Sequence, residues 1–147
     1  MNTPREASLN DRCRQEIHAL HQFFADWLSG GLPNTNEAFS RVGHVLADDF
    51  RLIHPSGSWR TREEILSGLR RGHGRRPGLT IEIRNAHVLR TGPERCLATY
   101  EEWQHGPDAT DGRLSTVVFR RTADRDLPNG LLWEHVHETW MQAPPDA

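Results

Sequence analysis

From residue 79 onward the chain divides into four strand-length runs joined by turns, and few folds accept such a second half. The runs cover residues 79–90, 95–105, 113–121 and 131–141. Between them lie Thr91-Gly92-Pro93, Gly106-Pro107-Asp108 with Asp111-Gly112, and Asp126 to Pro128-Asn129-Gly130, all rich in turn-forming residues. Connections this short make consecutive strands antiparallel neighbours, so a meander is predicted. The closing run, Leu131 to Met141, alternates Trp133, His135, His137 and Thr139 on one face with Glu134, Val136, Glu138 and Trp140 on the other. Neither face is simply polar or simply apolar, which places the strand centrally in a sheet.

The first half reads as helices. Thr3-Pro4-Arg5-Glu6 has the form of a capping box with proline at the first helical position. Ile17, Leu20, Phe24 and Leu28 then recur at helical spacing, with Asn10-Asp11 as a potential break. Ser29-Gly30-Gly31-Leu32-Pro33 ends this helix. Asn34 with Glu37 is a second capping signal, ahead of Ala38, Val42, Val45 and Leu46; residues 50–54 form a strand closed by Pro55-Ser56-Gly57. Ser58-Trp59-Arg60 is a candidate short return strand. Thr61-Arg62-Glu63-Glu64 caps a third helix, which ends at Arg70, Arg71 and Gly72. Three helices followed by a curved antiparallel sheet define an α+β domain with the helices on one face.

At 147 residues the chain is predicted to be one domain, with residues 1–10 and 142–147 frayed. A net charge of −2 gives neither a nucleic-acid footprint nor a polybasic membrane patch. No apolar run reaches the length of a membrane span or of a secretory leader, so a cytoplasmic protein is expected. Cys13 and Cys96 are then expected to be buried free thiols. Gly72-x-Gly74 lacks the rest of a dinucleotide fingerprint, and no cofactor is assigned. His135-x-His137 puts two imidazoles on one strand face. That is half a metal site, and with no third ligand spaced to complete it no metal is assigned. The basic stretch Arg70, Arg71, His73, Arg75 and Arg76 reads as solvated surface.

Two segments resemble a known family. Leu46-Ala47-Asp48-Asp49-Phe50 running into His54-Pro55-Ser56-Gly57 resembles a segment of ketosteroid isomerases. Asn129-Gly130 followed by Trp133, Val136 and His137 resembles the ending of kinase II association domains. The order of elements, from about Ile17 to Trp140, is similar to the nuclear transport factor 2-like superfamily, which also includes SnoaL-like cyclases. The resemblance implies three helices on a curved, mainly antiparallel sheet forming a cone with a central pocket.

It further implies that His54 stands where the isomerases carry their general base, and strand alternation independently puts His54 on the core side with Phe50 and Leu52. The isomerases' second acid falls near Ser115 or Thr116 here, and the first helix offers no tyrosine, so steroid isomerisation is not expected. The same resemblance turns Glu134, Val136, Glu138 and Trp140 inward. It leaves Trp133, His135 and His137 outside as a homodimer interface. For the 95–105 strand two registers stay open: either Tyr100 and Glu102 point inward, or Thr99, Glu101 and Trp103 do. The candidate site is therefore His54 and Glu138 for proton transfer. Trp27, Trp59, Tyr100, Trp103 and Trp140 are candidates for holding a small apolar or aromatic ligand. A cofactor-free isomerase, cyclase or dehydratase is one functional expectation. A non-catalytic association module is the other.

Overall fold

A computed structural model describes residues 8–146. Nine elements follow one another: α1 (Leu9–Ser29), α2 (Asn36–Gly43), β1 (Leu46–Ile53), β2 (Trp59–Thr61), α3 (Arg62–Arg71), β3 (Thr80–Thr91), β4 (Arg95–His105), β5 (Thr110–Arg121) and β6 (Leu131–Gln142). The six strands form one sheet in the order β2-β1-β6-β5-β4-β3. Strands β3 to β6 make the expected antiparallel meander, and β1 joins β6 in parallel.

The helix signals hold with local adjustments. The Thr3–Glu6 signal lies outside the described residues; Ser8 caps α1, its hydroxyl accepting from the Asp11 N–H. Asn10 and Asp11 do not break the helix, because at its first turn the Asp11 carboxylate meets the positive end of the dipole. Gly30 ends α1 in the left-handed conformation, φ 87°. The second cap is Thr35 rather than Asn34, with its hydroxyl accepting from Ala38 N–H. Thr61 and Glu64 form the reciprocal capping box of α3.

One core lies between α1 and the sheet. Cys13, Ile17, Leu20, Phe23 and Trp27 of α1 meet Phe50, Cys96, Ala98, Tyr100, Val117, Phe119, Trp133 and Val136 of the sheet. The inward side chains form cross-strand rows. Glu102 lies opposite Arg113, which lies opposite Trp140; Tyr100 lies opposite Ser115, which lies opposite Glu138; Ala98 lies opposite Val117, which lies opposite Val136. The rows therefore grade from apolar at the closed end of the sheet to charged at the other.

Of the register shifts in the sheet, one changes the reading of the closing strand. Val118 pairs with His135 and Phe119 with Trp133, so Glu134 is an extra residue, a β-bulge. It shifts the face of everything before it. Trp133, expected on the outer face, is 2% exposed in the core, and Glu134, expected inside, turns outward to Arg95 and Arg120. His135 and His137 lie on the outer face.

A buried carboxylate ties the helices to the sheet. Glu16 is fully buried, accepting from Arg41 Nη1 and Nη2 at 3.2 and 2.8 Å, Asn129 Nδ2 at 2.9 Å and the Trp133 indole N–H at 2.8 Å. Four donors around one carboxylate explain how it stands desolvated. On the outer face Trp103 covers Gly112, the residue opposite it on β5; a Cβ at Gly112 would lie 2.5 Å from the ring.

Candidate functional site

The charged rows open into a cavity between the sheet, α1 and α3. Its outer chamber, about 350 Å3, has an apolar wall of Phe24, Leu28, Leu52, Ile65 and Leu69, and a polar wall that includes His54, Glu102, Arg113 and Glu138. A smaller inner chamber of about 70 Å3 shares Phe24, Leu52, Ile65, Glu102 and Glu138 and reaches Tyr100 and Trp133. A wider depression of about 770 Å3 lies between α1 and β3, and its lining lacks the buried charges.

The register of β4 puts Tyr100 and Glu102 inward and Thr99, Glu101 and Trp103 outward. Of the expected site residues, the fold brings His54, Glu138, Tyr100 and Trp140 to one end of the cone. It does not bring the other tryptophans there. Trp27 is fully buried, donating to Leu69 O at 2.7 Å and packing on Phe23, Phe39 and His73. Trp59 is 57% exposed and faces His135 on the outer side. Trp103 lies outside under the Arg84 guanidinium. Trp27 is held in the core by packing and by its indole hydrogen bond, and alternation on the edge strand and on β4 sends the other two outward.

Two groups not singled out in the sequence, His21 and Arg113, complete the charged end together with Glu102. His21, one turn after Ile17 on the apolar face of α1, is buried. Its Nδ1 lies 2.7 Å from Ile17 O and its Nε2 3.1 Å from Glu102 Oε1. A carbonyl and a carboxylate both demand a donor, so both ring nitrogens carry protons and the ring is an imidazolium. Burial works against that charge, but Glu102 and the Ile17 carbonyl outweigh it and raise the pKa. Burial likewise opposes the Glu102 charge; His21 and Arg113 overcome it and hold the carboxyl down at about 2.

Arg113 donates to Glu138 Oε1 and Asp111 Oδ1, each at 3.3 Å, and stacks 4.8 Å from the Trp140 ring centre. Its Nε is buried and has no hydrogen-bond partner among the described residues. Glu138 has the opposite fate to Glu102. Burial and the charge on Glu102 raise it to about 7, with Arg113 and His21 offsetting only part. Two carboxylates on adjacent inward rows have thus been driven apart, one firmly ionised and one poised near neutrality. Positional separation explains why the sequence hides this: His21 and Glu102 are 81 positions apart, and Arg113 shows only once the hairpin register is known.

His54 follows β1, half-buried at the cavity wall, its ring edge-on to Trp140 at 5.8 Å. Its Nδ1 accepts the Ser56 N–H at 3.1 Å. Nδ1 is therefore unprotonated and the neutral ring carries its proton on Nε2. Burial, then Arg113 and Arg60, lower its pKa. Neutral His54 is built to donate a hydrogen bond from Nε2.

A cone-shaped sheet with three helices over its inner face and a charged pocket at the open end is the nuclear transport factor 2-like fold. A solved structure of an NTF-2 like protein of unknown function from Pseudomonas aeruginosa is similar, with TM-score 0.78 and 32% identity over 88% of this chain and 98% of that one. The CaMKII hub of S. rosetta shares the fold at TM-score 0.69 and 12% identity, covering 92% of this chain and 99% of that one. Within this fold the chain belongs to the family described as sucrose-6-phosphate phosphohydrolase C-terminal, whose model matches residues 13–142. Sucrose-phosphatase 1 of Nicotiana tabacum is 26% identical over 149 residues, covering 95% of this chain and 35% of that protein. The chain spans about a third of the length of the curated relatives it matches. Among the described residues no helix is long and apolar enough to cross a membrane.

Proposed function

We propose that this domain is a small-molecule-binding cone in which Glu138 exchanges a proton with the ligand and His54 donates a hydrogen bond to it. The observation that carries this reading is Glu138 itself, a buried carboxyl at the cavity wall with a pKa near 7. A group half-protonated at working pH is suited to both halves of proton transfer. Such chemistry fits a cofactor-free isomerase, cyclase or dehydratase. The general-base role expected for His54 passes to Glu138, because the His54 lone pair is already committed to Ser56.

The test is a ligand-observed NMR screen on wild-type protein and on Ile65→Trp, which narrows the outer chamber. Hits expected in wild type should vanish in the variant. Failure to find any hit, or hits indifferent to Ile65→Trp, would refute the pocket reading.

A second reading, an association module, is favoured by the outer sheet face, where Trp59, Leu114 and Met141 are 57%, 41% and 50% exposed. His135 and His137 belong to the same face. Solution mass addresses it: a dimer should dissociate in Trp59→Arg, and a monomeric wild type would refute it. Trp133→Arg is unsuitable for this purpose, since Trp133 lies in the core.

A further inference from the structure

We propose that the outer chamber selects a neutral polyhydroxylated ligand, sugar-like in presenting adjacent hydroxyls on one edge and C–H surface on the other, over anions and hydrocarbons. This rests on the pocket reading above and names the chemistry the pocket takes.

Anions are disfavoured because the cations are already committed. His21 faces Glu102, and Arg113 bridges Glu138 and Asp111. An anionic ligand would have to displace a carboxylate from Arg113 or stand beside Glu102 and Glu138. Arg60 at the rim is accompanied by Glu64, so the chamber holds no unbalanced positive cluster. Hydrocarbons are disfavoured for the opposite reason. A purely apolar molecule against the polar wall would strip water from Arg113, Glu138 and His54 and return no hydrogen bonds.

A hydroxyl both donates and accepts. The polar wall offers both complements within one patch. Arg113 has five N–H groups, of which two are engaged by carboxylates; His54 offers Nε2–H; Glu138 offers its Oε2, the oxygen that Arg113 does not hold. Neighbouring hydroxyls can bridge such a donor–acceptor–donor series, each accepting from one group and donating to the next. Opposite this wall, Phe24, Leu28, Leu52, Ile65 and Leu69 give an apolar surface for the C–H face of a ring. At about 350 Å3 the chamber is at the small end of ligand pockets, in keeping with one or two sugar rings.

Saturation-transfer NMR and calorimetry with four probes test this on the whole chain: glucose, sucrose, glucose 6-phosphate and octan-1-ol. Sucrose or glucose should bind, the signal should vanish in Ile65→Trp, and glucose should bind at least as tightly as its phosphate. Glu138→Gln, which keeps the shape, should weaken the sugar by about tenfold, the value of one hydrogen bond to a charged group. Tighter binding of octan-1-ol or glucose 6-phosphate, lost in Ile65→Trp, would overturn the ligand class and leave the pocket standing. Sugar binding unchanged in Glu138→Gln would overturn the role given to the polar wall. Silence from all four probes would overturn the class as well, and the separate broad screen then decides the pocket.

Discussion

Replacing Glu138 by glutamine should make the protein more stable at high pH and leave it nearly unchanged at low pH. Glu138 is 6% exposed and its pKa is raised from 4.5 to about 7. A carboxyl raised on folding holds its proton more tightly in the native state. Its ionisation therefore costs the native state stability as pH climbs from about 4.5 through 7, after which the penalty is constant. A rise of this size corresponds to roughly 3 kcal/mol, and sharing with Glu102 and Arg113 brings the measurable effect to about 2–3 kcal/mol. The substituted amide keeps an oxygen for Arg113 and carries no charge to desolvate. Urea unfolding at pH 5, 6, 7, 8 and 9 measures the difference directly. His21, with its raised pKa, contributes stability that both proteins lose as pH rises, so only the gap between the two curves matters. The gap should open between pH 5 and 8. Parallel curves, or a variant less stable at pH 9 than at pH 5 relative to wild type, would show that Glu138 ionises like an ordinary glutamate.

Two further substitutions probe the frame that holds the site. Glu16→Ala should cost about 3–5 kcal/mol, because Arg41, Asn129 and the Trp133 indole lose a shared acceptor in a dry environment; urea melts followed by tryptophan fluorescence measure it, and a loss under about 1 kcal/mol would contradict the cluster's role. Gly112→Ala should cost about 1–3 kcal/mol by driving a methyl into the Trp103 ring, read as a lower melting temperature that Gly112→Ala combined with Trp103→Ala should recover in part.

Much of the fold was legible because it rests on local signals. The 95–105 strand matches the observed β4 end to end, and the Thr61–Glu64 box caps α3 as read. The pocket was less legible, for three physical reasons. Alternation assigns faces only while a strand stays regular, and the extra residue at Glu134 reversed the reading of Trp133. Register across β4 decided between Tyr100 with Glu102 and Glu101 with Trp103, and nothing local distinguishes the two. The buried ion pairs join residues far apart in sequence, so their partners are visible only in space. His21 alone carries a local signal, since it follows Ile17 by one helical turn on the apolar face of α1.

The bulge in β6 also bears on which insertions and deletions this chain can absorb. Removing Glu134 would leave Trp133 inward, His135 outward and Val136 inward, an unbroken alternation, at the expense of its surface pairing with Arg95 and Arg120. Removing a residue just past the bulge, such as His137, would rotate either the core segment ahead of it or Glu138 and Trp140 beyond it through the sheet. The strand thus carries one spare position beside the core, at Glu134, and a second beyond the cavity rows, at Met141, with none between Val136 and Trp140. Length variation in this segment should accumulate at these two positions, while the three residues from Val136 to Glu138 keep their count.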